Sequence, residues 1–160
     1  MSRQHLRFLL LEQGVGAAVF NFFLNGAIAW LLFRQLTHVP LWGQQSIAGD
    51  TLGTCFFLPF FTTLIVTPLV RRRMRGDELA TLGWTRETHP PLGWLPRGTA
   101  RRGIVLGLLC VLVVGTVSVW ALSRHVVELA FWPFIGFKAT FAAGLALLVT
   151  PVISLWAMAE

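Results

Sequence analysis

The sequence predicts an all-α integral membrane fold: four transmembrane helices packed as a bundle, arranged as two helical hairpins of the same orientation. Three observations predict it. Of the 160 residues, 55% are apolar and only 12% charged, about half the charged share of an ordinary soluble domain. Four apolar stretches reach the roughly 20 residues a helix needs to cross a hydrocarbon core of about 30 Å. The arginines fall in clumps between those stretches instead of covering a solvated face. The apolar content also excludes a disordered chain, and two cysteines exclude a disulfide scaffold. The net charge of +6 would suit a nucleic-acid binder only if spread over one surface, so no nucleic-acid partner is expected.

The chain reads as one membrane domain, 1–160, with helices at about 8–33, 47–70, 103–122 and 129–158. Backbone amides cannot stay unpaired in lipid, so each span must be a helix, and none alternates as a barrel strand does. The first span follows Arg3 and Arg7 and carries an A-x-A sequence at Ala27-Ile28-Ala29, which resembles a cleavable signal. Glu12, Gln13, Asn21 and Asn25 interrupt the run, however, and it is longer than a signal core, so a retained anchor is expected. Arg3 and Arg7 precede this span, and the connection 71–102 holds eight arginines against three acids, a net +5. The other two connections hold one arginine each, Arg34 and Arg124. Arginine-rich short loops stay in the cytoplasm. The expected location is therefore the cell (inner) membrane, with both termini and the long loop on the cytoplasmic side.

The halves resemble each other. Trp30, Arg34 and Trp42 recur 90 positions later as Trp120, Arg124 and Trp132. Val66-Thr67-Pro68-Leu69-Val70 recurs 83 positions later as Val149-Thr150-Pro151-Val152-Ile153, and Gly53 then falls on Gly136. An internal duplication related by an axis along the membrane normal accounts for this. The plain alternative is that membrane interfaces favour Trp and Arg everywhere. In both readings Trp30, Trp42, Trp120 and Trp132 mark the outer boundary, and Trp84, Trp94 and Trp156 the inner one. Arg34 and Arg124 each follow a tryptophan by four residues, which sets the guanidinium near the indole face on a helix.

Polar groups inside the spans are the candidate site. An ionisable side chain at mid-depth costs about 2.5–3.5 kcal/mol on insertion scales. Lys138, the only lysine, lies in the fourth span and Asp50 at a comparable depth in the second. Asn25 and Asn21 share one face of the first span, and Thr54 extends the Asp50 face by a turn. The cluster Asn21, Asn25, Asp50, Thr54 and Lys138 has two readings. In the static one Asp50 caps its helix, Lys138 snorkels and the asparagines hold helices together. In the functional one these groups line a polar cavity, with an Asp50–Lys138 pair gating or binding a small polar solute.

Gly49-x-x-x-Gly53 and Gly103-x-x-x-Gly107 match the close-approach pattern of packed membrane helices, and Ala142-x-x-x-Ala146 is a weaker version. Pro59, Pro68 and Pro151 each remove a helix amide, so kinks are expected. Arg71, Arg72, Arg73, Arg75, Arg101 and Arg102 stand where anionic headgroups lie, each worth about 1 kcal/mol of attraction.

Catalytic motifs are absent: no phosphate-binding or dinucleotide loop, no nucleophile elbow, no H-E-x-x-H pair. No enzymatic activity is expected, and a lipid enzyme would lack paired carboxylates. Cys55 and Cys110 are not expected to pair, nor do His38, His125, Glu128 and Asp50 have metal-ligand spacing. No cofactor or metal is expected. The residues support a small transport or permeation protein built around the polar cluster, acting as an oligomer. The rival is a non-catalytic accessory or assembly subunit of a larger membrane complex. The partners expected are the lipid bilayer and either further copies or that complex.

Overall fold

The computed structural model describes residues 13–76, 96 and 98–158. The expected start of the first span at residue 8, Glu12, and most of the 71–102 connection with Trp84 and Trp94 lie outside them. The described residues are helical apart from the strands and turns at one end of the bundle and Gly76, Pro96 and Gly98 at the other. A wide turn at residues 13–15 leads into α1 (Gly16–Phe33). A three-residue strand, β1 (His38–Pro40), follows, then α2 (Ile47–Arg75). The third span, Thr99–His125, is α3 (Thr99–Cys110), a π-helical segment (Val111–Gly115) and α4 (Thr116–His125) run together. A second strand, β2 (Glu128–Ala130), leads into α5 (Phe131–Met158). Four helices are thus long and apolar enough to cross a membrane.

The boundaries differ from expectation at the arginine-rich end. The second span runs on through Arg71–Arg75 and ends at Gly76, whose N–H reaches the Arg72 carbonyl. Arginine is a good helix former, and cations in the last turn suit the helix dipole. Asp50 does not cap this helix. Ser46 does, its Oγ accepting from the Gly49 N–H at 3.2 Å. The helices continue unbroken through Pro59, Pro68 and Pro151. The hydroxyls of Thr67 and Thr150, next to two of these prolines, are buried with no hydrogen-bond partner among the described residues.

The two connecting loops at the other end pair, which the loop sequences do not foretell. β1 and β2 form an antiparallel ladder with Val39 opposite Leu129, His38 opposite Ala130 and Pro40 opposite Glu128. Backbone bonds from Leu41 to Val127 (2.8 Å) and from Phe131 to Thr37 (3.0 Å) extend it. Ala29, Phe33, Val39, Ile47 and Phe134 form an apolar core beneath it.

The packing order does not follow the chain. α2 and α5 pack together at the centre, α1 lies on α5, and the third span lies on α2. α1 and α2 barely touch, although they are consecutive. The α2–α3 crossing is tight: a Cβ on Gly107 would stand 2.8 Å from the Phe56 carbonyl oxygen, and one on Gly103 3.2 Å from that of Phe60. Ala142 and Ala146 are fully buried against Cys55 and Leu58.

Candidate functional site: an ion pair at the base of an interhelical groove

The gap between α1 and α2 is a groove of about 550 Å³ with α5 as its floor. All five residues of the expected polar cluster line it: Asn21 and Asn25 from α1, Asp50 and Thr54 from α2, Lys138 from α5. Phe20, Leu24, Phe57 and Phe61 form apolar walls, and these side chains are more than 40% exposed, so the groove opens sideways along the helices.

Lys138 sits at the base with 3% of its surface exposed. Its Nζ lies 2.6 Å from Asp50 Oδ2, donates to Thr54 Oγ1, and reaches the Asp50 carbonyl at 3.4 Å. Thr54 in turn donates its hydroxyl to that same carbonyl at 2.7 Å. The ammonium stays at the base, donating to a hydroxyl and a carbonyl and ion-paired with Asp50 Oδ2, and does not snorkel to the surface. Asp50 occupies the first turn of α2, where the helix dipole also favours a carboxylate. Two opposite sources of positive potential therefore hold one anion, which makes burial of this pair affordable.

The asparagines do not bridge helices. Asn21 Nδ2 donates to the Ala17 carbonyl at 2.9 Å and Asn25 Nδ2 to the Asn21 carbonyl at 3.1 Å. Asn25 Nδ2 also donates to Asn21 Oδ1 at 3.3 Å, so of the two amide oxygens only Asn25 Oδ1 is left without a donor among the described residues. The groove end near Asp50 is thus rich in acceptors.

The other expected residues separate by role. Gly103 and Gly107 lie at the α2–α3 crossing. Gly49 sits against the Ser46 hydroxyl, and Gly53 has open space where its side chain would be and lines the groove. Arg71, Arg72, Arg73, Arg75 and Arg101 gather at the arginine-rich end, with Arg71, Arg72 and Arg75 around a surface recess beside Thr99. Arg102 is 1% exposed and turned into the protein. Cys55 and Cys110 are both free thiols and share one apolar cluster. Among the described residues no three His, Cys, Asp or Glu side chains gather as metal ligands would.

The sequence reading missed the apolar walls, the ladder and a bond from Ser154 Oγ to Gln13 Oε1 (3.1 Å) that ties α5 to the start of α1. A signal existed only for Ser46, a serine immediately before the apolar run. Comparison with protein-family models, curated proteins and solved structures gives no match to this chain.

Proposed function

We propose that this chain is a small multi-pass protein of the cell membrane, and that it moves a small molecule past the Asp50–Lys138 pair. The observation that carries this reading is the pair itself: a buried lysine ion-paired with a carboxylate at the base of a groove 550 Å³ in volume. Cavities of roughly 300–1,000 Å³ with a few convergent polar groups are where proteins hold small ligands. Ionisable side chains among apolar helices mark solute paths or relays.

In this reading the arginine-rich end is cytoplasmic and the ladder faces outward. Trp42, Trp120 and Trp132 are each more than 60% exposed around the ladder, as an interfacial belt would be, and Arg34 and Arg124 stack at 5.7 and 5.0 Å on Trp30 and Trp120. Arg71, Arg72 and Arg75 then face anionic headgroups. Duplication of a helical hairpin fits the packing. The paired strands lie 90 positions apart, as do the Trp–Arg pairs, and each outer helix packs on the central helix of the other half. At that shift Asn25 corresponds to Gly115, and at the 83-residue shift Lys138 corresponds to Cys55. One half thus keeps a polar groove where the other has a glycine packed against Leu52 and Cys55.

Reconstitution tests the reading. Proteoliposomes are expected to pass glycerol, followed by swelling, or a fluorescent long-chain amine, followed by quenching from outside. The double variant Asp50→Asn, Lys138→Met abolishes the flux while remaining folded. A protein that passes neither, and purifies in fixed ratio with a foreign membrane protein, is instead an accessory subunit. That second reading is favoured by α1, whose apolar window is only 6% buried within the chain, and a partner or a further copy would cover it.

A further inference from the structure

The groove has a polar end, an apolar length and an open side, and together these specify what it takes. We infer that it binds a single-chain amphiphile that enters sideways from the bilayer, with a hydrogen-bond-donating head at Asp50 and Asn25 and its chain along Phe57 and Phe61. The inference rests on the proposed reading of the groove as a solute site and names the solute's class.

The groove's 550 Å³ lies in the range of small-ligand sites. The apolar length is bounded by polar groups at both ends. Thr150, 12 residues beyond Lys138 on α5, stands about 18 Å further along the helix. Thr150 lines the groove, and its buried hydroxyl has no partner among the described residues.

The chemistry of the head follows from what the pair leaves open. Lys138 is spent on its own partners, donating to Thr54 Oγ1 and the Asp50 carbonyl and ion-paired with Asp50 Oδ2. The Asp50 side chain keeps 10% of its surface, while Oδ2, the oxygen facing Lys138, is covered, so Oδ1 leads the part that meets the groove. Among the described residues no donor reaches Asn25 Oδ1. The end of the groove offers the Asp50 carboxylate and Asn25 Oδ1 as open acceptors, and the donor it keeps is the second N–H of Asn21 Nδ2, a neutral amide. A head with N–H or O–H groups is recognised there, and a carboxylate head is repelled. In a bilayer the chain gains nothing on leaving lipid for an equally apolar wall, so the head must provide the discrimination.

The full chain in phosphatidylcholine nanodiscs is irradiated with dodecylamine carrying a diazirine at its chain end. Adducts are expected on the α1 and α2 walls, around Leu24 and around Phe57 and Phe61. Dodecanol competes, whereas dodecanoate competes about tenfold less well, the worth of one hydrogen bond to a charged group. Gly53→Trp projects into open space within the groove and abolishes the labelling. Gly144→Trp, equally open but outside the groove lining, leaves it intact. Adducts spread evenly over all four spans, or equal competition by dodecanoate, overturn the inference. Groove labelling in a protein that passes neither reporter sustains the inference and sinks the transport reading. Glycerol flux without groove labelling does the reverse.

Discussion

Lys138 meets a carboxylate, a hydroxyl and a backbone carbonyl, and removing any one side of that arrangement leaves a buried polar group exposed to nothing. Lys138→Met strands the Asp50 carboxylate, and loss of one partner of a buried pair costs about 3–5 kcal/mol. Adding Asp50→Asn is expected to restore most of it. Titration with a denaturing detergent reads both, and equal unfolding midpoints for the single and double variants would show that the pair contributes nothing. All five cluster residues were legible in the sequence, because a charge or an amide is conspicuous among apolar neighbours. Their bonding was not. Asn21 and Asn25 have the spacing of interhelical glue yet donate to their own helix, since a carbonyl four residues back is always within reach of an asparagine on a helix.

The third span packs on α2 through Gly103, Gly107 and Gly115, at spacings of four and eight residues. On a regular α-helix each four-residue step drifts about 40°, so the last glycine would be turned about 120° from the first. The π-helical segment Val111–Gly115 turns less per residue and returns Gly115 toward Leu52 and Cys55. Gly107→Val forces a side chain onto the Phe56 carbonyl, and overpacking of this kind costs about 1–3 kcal/mol. Gly136→Val, with open space at the same construction, is expected to be neutral within the error of the same unfolding titration. The Gly103-x-x-x-Gly107 spacing announced this crossing. Gly49-x-x-x-Gly53 has the same spacing without the contact, because the pattern records the capacity for close approach and the partner's position decides its use. The π-helical segment left no mark in the sequence: Val-Leu-Val-Val-Gly is equally at home in an α-helix.

Across the whole molecule the two ends differ in kind: arginines at one, a ladder with exposed tryptophans at the other. The proposed orientation, with the arginine-rich end inward, puts them on opposite faces of the membrane. In a background where Cys55 and Cys110 are replaced by alanine, a cysteine at Val127, 85% exposed beside the ladder, is expected to react with an impermeant maleimide on intact cells. One at Arg75 reacts only after permeabilisation. The reverse pattern would invert the topology. Span number was legible from apolar length alone. The packing order was not, because four helices of similar hydropathy carry little information about which neighbour each prefers.

That order has a consequence for biogenesis. α1 lies on α5, the last helix to be made, and β1 pairs with a strand 90 positions downstream. At about 5–20 residues per second, the stretch from Phe33 to Met158 sets α1 about 6–25 s ahead of its full contact with α5. Neither hairpin is held together by contacts between its own two long helices, so each half completes the other. The gap between α1 and α2 therefore has no floor until α5 arrives from the other half of the chain.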